Sequence, residues 1–319
     1  MRILLTRTDR IGDLILSTPA IASIRASFPS ARVTLVTSKY NRVVMERNDD
    51  IDELVALNGS FRRDYDIAVA LAPRITDLRI VGASRAKRRV GYTYARRWFA
   101  RLTAPAFVDT LMISEADPVL CERDPALRIR HEVDQLLDLV ALAGARTRIT
   151  RLRLDVREED RRAIEALPEH PIVLHLGRRW FDQGSSIDST QRLLRELVAL
   201  GRPVVATTPR ESVEYAARLE APPRCRILGH LPFFTWAAVF ERASCVVTVD
   251  TAATHVASAM RRPTVVAFEN RYFRLSSQEW APYQVPSVLV RKPASKDTGS
   301  LAAFRNEIVS GVQELLGKA

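Results

Sequence analysis

A chain of 319 residues is long for one hydrophobic core and predicts two domains of about 150 residues each. Its 47% hydrophobic and 27% charged residues suit a globular protein, and no apolar run reaches the roughly 18 residues of a membrane-spanning helix, which excludes a helical integral membrane protein. The excess of 48 Lys+Arg over 37 Asp+Glu gives a net charge of +11, almost all of it arginine, which suits either a solvated surface or a face for phosphates.

The start of the chain has no signal-peptide layout, because its apolar run is short and broken by charges. Cys121, Cys225 and Cys245 are odd in number and lack metal spacing, so a reducing, cytoplasmic setting is expected. Residues 2–6 predict a strand, followed by a polar turn over 8–13 that contains Gly12. Leu14, Ile21, Ile24 and Phe28 mark a helical face. Pro19 either opens a helix capped by Thr18 or kinks one that starts at Asp13. Residues 32–37 are β-branched and alternate, a second strand; 41–47 read as helix, and 51–56 and 66–71 as strands. Strands alternating with helices at this spacing predict a parallel sheet.

Residues 74–101 gather Arg74, Arg79, Arg85, Lys87, Arg88, Arg89, Arg96, Arg97 and Arg101 among Tyr92, Tyr94, Trp98 and Phe99. The stretch is either a solvated helix surface or a face for a phosphorylated partner. No recognised nucleic-acid motif accompanies it, so no nucleic-acid partner is expected. An amphipathic helix is predicted over 132–143, and the irregular, arginine-rich stretch after it places a domain boundary near 150–160. The second half repeats the plan, with strands at 172–176, 203–207, 226–228, 246–249 and 264–268. Helices are predicted at 190–200, 212–219, 235–242, 252–260 and 301–316. In such doubly wound sheets ligands sit at the carboxyl ends of the strands. Between two β-branched strands, Asp250 and Thr251 stand where the first strand stops and a small-residue helix begins. Unpaired helix N–H groups and the positive dipole end make that turn an anion site.

Two groups of residues, taken together, resemble a known family. Near the start stand Gly12-Asp13, Pro19-Ala20, Arg25 and Phe28-Pro29; near the end, Asp250-Thr251-Ala252-Ala253-Thr254-His255-Val256-Ala257 is similar to a D-T-G-x-x-H-x-A motif. Asp64-Tyr65-Asp66-Ile67-Ala68-Val69-Ala70-Leu71, Arg89-Val90-Gly91, His131-Glu132-Val133-Asp134 and Trp280-Ala281-Pro282-Tyr283 follow in the same order. The set resembles the bacterial ADP-heptose:lipopolysaccharide heptosyltransferases, glycosyltransferase family 9, over most of the chain.

The resemblance implies an α/β GT-B fold of two doubly wound, Rossmann-like domains facing across a cleft. Residues 1–155 would hold the acceptor and 156–319 the nucleotide-sugar, with the option that the final helix, 301–316, packs back on the first domain. It implies an inverting, metal-independent transfer of a heptose from ADP-heptose to a lipopolysaccharide inner-core acceptor, with no cofactor beyond the donor substrate. The partners would be a phosphorylated glycolipid and, peripherally, the cytoplasmic face of the inner membrane. A related transferase using another nucleotide-sugar, or a non-catalytic binding protein that kept the fold, are the alternatives.

Residue by residue, Asp13 is implied as the base that takes the acceptor's proton; its plain reading is a helix N-cap. Thr251 and the N–H groups of Ala252 and Ala253 would cradle phosphate, with Asp250 touching the sugar or ordering the turn and His255, one turn further on, contacting phosphate or sugar. Glu211 is a candidate for the ribose hydroxyls, or a first-turn glutamate favoured by the helix dipole. Leu231 would pack the base or the core. Arg74, Arg79, Arg88 and Arg89 would meet the acceptor's phosphates. Three departures from the family stand out. Ala252 and Glu269 replace glycines, and the lysine expected after the first strand of the second domain falls near Ser185 or Ser186, with no lysine anywhere from 88 to 291. Arg178 or Arg179 is expected to supply that charge.

Overall fold

The computed structural model describes residues 1–317; residues 318 and 319, the last two of the expected second domain, lie outside the described residues. The chain divides into two units, Met1–Leu154 and Asp155–Ala319.

In the first unit the strands are β1 (Arg2–Arg7), β2 (Arg32–Thr37), β3 (Glu53–Ala56), β4 (Ile67–Ala70), β5 (Arg88–Tyr94) and β6 (Thr110–Ser114). The helices are α1 (Ile11–Ser27), α2 (Ile75–Ala83), α3 (Trp98–Thr103), α4 (Pro118–Arg123) and α5 (Glu132–Leu142). The sheet order is β3-β2-β1-β4-β5-β6, and every pair is parallel. In the second unit the strands are β7 (Ile172–His175), β8 (Val204–Thr207), β9 (Cys225–Leu228), β10 (Cys245–Val249), β11 (Thr264–Phe268) and β12 (Ser287–Arg291). They lie in the order β12-β11-β10-β7-β8-β9, again all parallel. Its helices are α6 (Glu158–Arg162), α7 (Arg178–Gln183), α8 (Ile187–Ala199), α9 (Val213–Ala216), α10 (Phe233–Arg242), α11 (Ala252–Ala259), α12 (Phe273–Glu279) and α13 (Thr298–Gly317). Every residue of β4, β7, β8, β10 and β11 is buried, as parallel strands covered on both faces require.

Helix α1 continues through Pro19 rather than starting at it or at Asp13. Pro19 has no N–H for the carbonyl of Ile15, and the Thr18 hydroxyl donates to that carbonyl instead, at 2.7 Å. The expected helix over 41–47 is a short 3₁₀ turn, Arg42–Met45. Strand β5 lay hidden in the basic region because it opens on two arginines and contains Gly91. A Cβ on that glycine would come within 2.6 Å of the Leu78 Cδ2 atom of α2, so Leu78 would have to shift.

The final helix, α13, packs on the sheet of the second unit. Phe304, Ile308, Val312 and Leu315 of α13 are buried in the core of the second unit. Gly311 lets the helix approach the sheet, since a Cβ there would lie 2.9 Å from Val288 Cγ1 on β12.

Candidate active site

Doubly wound sheets bind ligands where the strand order reverses, because the connections leave the two adjacent carboxyl ends in opposite directions and open a crevice. The first sheet reverses between β1 and β4, and the second between β10 and β7.

At the first reversal Arg7 ends β1 and is 1% exposed. Its guanidinium donates to the carbonyl of Leu71 just past β4, to Asp9 Oδ1 at 2.9 Å and to Glu132 Oε1 at 3.1 Å. Its Nη2 stands 3.3 Å from Asp13 Oδ1. Asp13 is buried in the first turn of α1, and Arg10 donates to its Oδ2 at 2.7 Å. The residue flanking the helix start is Arg10, so Asp13 is not the N-cap that its plain reading made it. Burial works against the Arg7 charge, but Asp9, Tyr92, Glu132 and Asp13 outweigh it and raise its pKa well above the ordinary value. Asp9 is raised by burial and by the charges of Asp13 and Glu132, with Arg7 opposing. The Thr8 hydroxyl donates to Asp77 Oδ2 at 2.7 Å, tying the end of β1 to the first turn of α2; burial lifts the Asp77 pKa to about 6.

Glu132 opens α5, accepts the Tyr92 hydroxyl at 2.7 Å, and has its Oε2 buried with no hydrogen-bond partner among the described residues. Sequence reasoning quoted Glu132 only as part of a motif and missed Arg7, Asp9 and Tyr92 as functional groups. A basic strand end followed by Asp9 and Asp13 was the available signal.

Of the four expected acceptor arginines, Arg74 stands at this edge, donating to Thr8 O at 3.2 Å. Arg88 and Arg89 do not. They begin β5, and because β5 runs parallel to its neighbours, seven residues at about 3.3 Å each separate them from the carboxyl edge by roughly 20 Å. Arg89 is instead paired with Asp109, its Nε 3.1 Å from Oδ2, and Arg88 donates to Ala143 O at 3.4 Å. Arg79 lies exposed in the second turn of α2, leading away from the edge. Arg96 and Arg97, which follow β5, stand at the carboxyl edge, and Arg97 donates to Pro73 O at 2.8 Å.

At the second reversal Asp250 and Thr251 follow β10, and Gly177 and α7 follow β7. Arg179 Nη1 bridges them, donating to Asp250 O at 3.0 Å and standing 3.7 Å from Asp250 Oδ2. Arg178 does not reach the turn; it pairs with Asp182 at 3.0 Å along its own helix. Thr251 flanks α11 in an extended conformation without capping it, and its hydroxyl donates back to Val249 O at 3.2 Å. The N–H groups of Ala252 and Ala253 find no acceptor among the described residues, leaving the donor end of the helix free. Ala252 is the first helical residue and has no positive φ, so alanine fits without strain where the motif has glycine. His255 is buried within the same helix.

Ser185, where a lysine was expected, is buried at the start of α8 and accepts a hydrogen bond from Thr190 at 3.2 Å. Glu211 is exposed in the 3₁₀ turn Arg210–Ser212 after β8, and Leu231 is half-buried in the loop after β9. Both lie on the same carboxyl edge as Thr251.

Two further residues on this edge escaped the sequence. Lys292 follows β12, is buried, and has its pKa lowered by burial to about 8. His175 ends β7, shares a hydrogen bond of 2.9 Å with Thr207 and packs against Trp236, with ring centroids 5.0 Å apart. A Cβ on Gly177 would lie 3.5 Å from His175 Nε2 and 3.9 Å from Thr251 Cγ2, so the bare glycine keeps this corner open. Burial holds the His175 pKa at about 3, against an ordinary 6.5. Between those values the unfolded chain binds the extra proton, so stability should fall as pH drops from 6.5 toward 3, by about 1.4 kcal/mol per unit. Urea unfolding at pH 7 and pH 5 checks this, and His175→Asn should lessen the slope by that amount.

Residues 193–300 match the model of glycosyltransferase family 9 (heptosyltransferase). No curated protein matches the chain by sequence. Among solved structures, a family 9 glycosyl transferase from Veillonella parvula superposes with a TM-score of 0.75 at 17% identity, covering 100% of this chain and 97% of that one. The E. coli ADP-heptose lipopolysaccharide heptosyltransferase II gives 0.74 at 18%, covering 100% and 99%. The E. coli heptosyltransferase WaaC with ADP gives 0.70 at 17%, covering 99% and 100%. The chain thus matches glycosyltransferase family 9 over residues 193–300 and has the two-unit GT-B fold of the solved heptosyltransferases.

Proposed function

We propose that the protein moves a heptose from ADP-heptose to a phosphorylated inner-core acceptor of lipopolysaccharide, inverting the anomeric carbon and using no metal. The observation that carries this reading is the uncapped turn Asp250-Thr251-Ala252-Ala253, at the reversal point of its sheet and inside the segment that matches family 9. In this scheme the acceptor hydroxyl attacks the anomeric carbon, Asp13 takes its proton, and the bond to the diphosphate breaks. ADP departs with its charge met by the N–H groups of Ala252 and Ala253 and by Arg179. Glu211 and Leu231 serve the nucleoside, while Arg74, Arg96 and Arg97 meet acceptor phosphates.

Beside these arginines, α3 has no buried residue and presents Trp98 and Leu102, 67% and 73% exposed. Aromatic and aliphatic side chains flanked by Arg97 and Arg101 suit a peripheral contact with an anionic membrane face. No helix among the described residues is long and apolar enough to cross a membrane.

A thermal-shift panel of ADP, UDP, GDP and CDP tests the donor. At a hundredfold excess over Kd, ADP should raise Tm by on the order of 5 °C, and the others less. A response to a different nucleotide alone would replace ADP-heptose with another nucleotide-sugar, and no response to any would sink the transferase reading.

A further inference from the structure

Lys292 sits one residue past the last strand of the second sheet. Its backbone N–H donates to Phe268 O at 2.9 Å, extending the ladder between β11 and β12 to the carboxyl edge that also carries Asp250 and Thr251. The residue is 3% exposed. An ammonium has three donors, yet Nζ has a single acceptor among the described residues, Arg179 O, at a long 3.4 Å. It forms no ion pair among the described residues. The charges facing it are Asp250 from the turn after β10, Arg179 from α7 and Glu269 from the turn after β11. Two of these oppose its charge and one matches it. Arg179, the matching charge, is already bonded to Asp250.

Such a group is costly to keep. Replacing it with a buried aliphatic chain would relieve the fold, so its retention calls for an anion that arrives from outside. Lys292, Arg179 and the free N–H groups of Ala252 and Ala253 are linked through Arg179, whose carbonyl meets the lysine and whose guanidinium meets the turn. Together they bring two cations and two backbone donors to one stretch of edge, against two carboxylates, Glu269 and the Asp250 that Arg179 already engages.

We infer that Lys292 is a binding residue for the diphosphate of the donor nucleotide, exchanging its weak bond to Arg179 O for a phosphate oxygen. This rests on the donor site proposed above. Burial leaves the free lysine with a pKa of about 8, and a bound anion favours the charged form. Binding therefore takes up a proton above about pH 8, and affinity falls as pH rises further.

Titration calorimetry of the whole protein with ADP, adenosine and inorganic pyrophosphate decides it. Lys292→Met should weaken ADP and pyrophosphate roughly 10- to 100-fold, leave adenosine unchanged, and abolish the proton uptake seen at pH 9 in buffers of different ionisation enthalpy. Its Tm should hold or rise. Lys292→Arg, which stays charged, should keep ADP affinity level between pH 8 and 9.5, and carries the test should the methionine variant fold poorly. Unchanged ADP affinity in Lys292→Met overturns the inference and leaves the donor reading standing. Binding of pyrophosphate but not ADP by the native protein, lost in Lys292→Met, keeps the lysine's role and sinks the nucleotide reading. Failure of the native protein to bind either anion overturns both.

Discussion

Replacing Asp13 with asparagine should lower kcat/KM for heptose transfer by roughly 10²- to 10⁴-fold, the span of a lost general base, while ADP binding stays as it was. The substitution is nearly isosteric and leaves Arg7 with Asp9 and Glu132, so the fold around it survives. The guanidiniums of Arg7 and Arg10 stand on its two oxygens. They steady the carboxylate's direction. Steady-state transfer assays alongside ADP calorimetry separate the two effects. Transfer that persists within tenfold would reduce Asp13 to a structural carboxylate holding the start of α1 to β1.

The largest effect on stability should come from Arg7. Arg7→Ala strips three carboxylates, Asp9, Asp13 and Glu132, of a shared and buried cation. Removing one partner of such a network costs about 3–5 kcal/mol, because the opposite charges stay behind without compensation. Urea unfolding should show a lower midpoint at an unchanged slope. Adding Glu132→Gln to Arg7→Ala should recover part of the loss, since one stranded charge then disappears; strict additivity of the two substitutions would show that they do not share a network. A loss below about 1 kcal/mol for Arg7→Ala alone would mean that water reaches this corner and screens it.

Much of this arrangement was legible from local pattern. The β-branched runs marked β1, β2, β4, β7, β8, β10 and β11, since strands buried on both faces need such residues throughout. Strands β5, β6 and β12 were not marked; they carry arginine, glycine or half-exposed positions that blur the signal. The Asp250–Thr251 turn was found because the change from strand to helix is written into adjacent residues.

Arg7 was not found, since its partner Glu132 lies 125 residues away and the nearby Asp9 and Asp13 are only a faint local mark in a basic chain. Arg88 and Arg89 were misplaced for a related reason. Closeness in sequence to Arg96 and Arg97 says nothing of which end of an intervening strand each occupies. Lys292 was passed over because its importance comes from burial beside a turn some 40 residues earlier, which composition does not reveal.

The two reversal points also govern when the sites come into being. Arg7 and Leu71, which close the first, are 64 residues apart, and Arg179 and Asp250, which close the second, are 71 apart. Such distant closures are entropically slow, so each site is among the later features its unit acquires as it folds. During synthesis the first unit has its whole sequence available early. The second cannot complete its core until α13 emerges and seats Gly311 against β12. A nascent chain therefore passes through a stage at which the half bearing Asp13 is formed and the half bearing the anion turn still awaits the 20-residue α13.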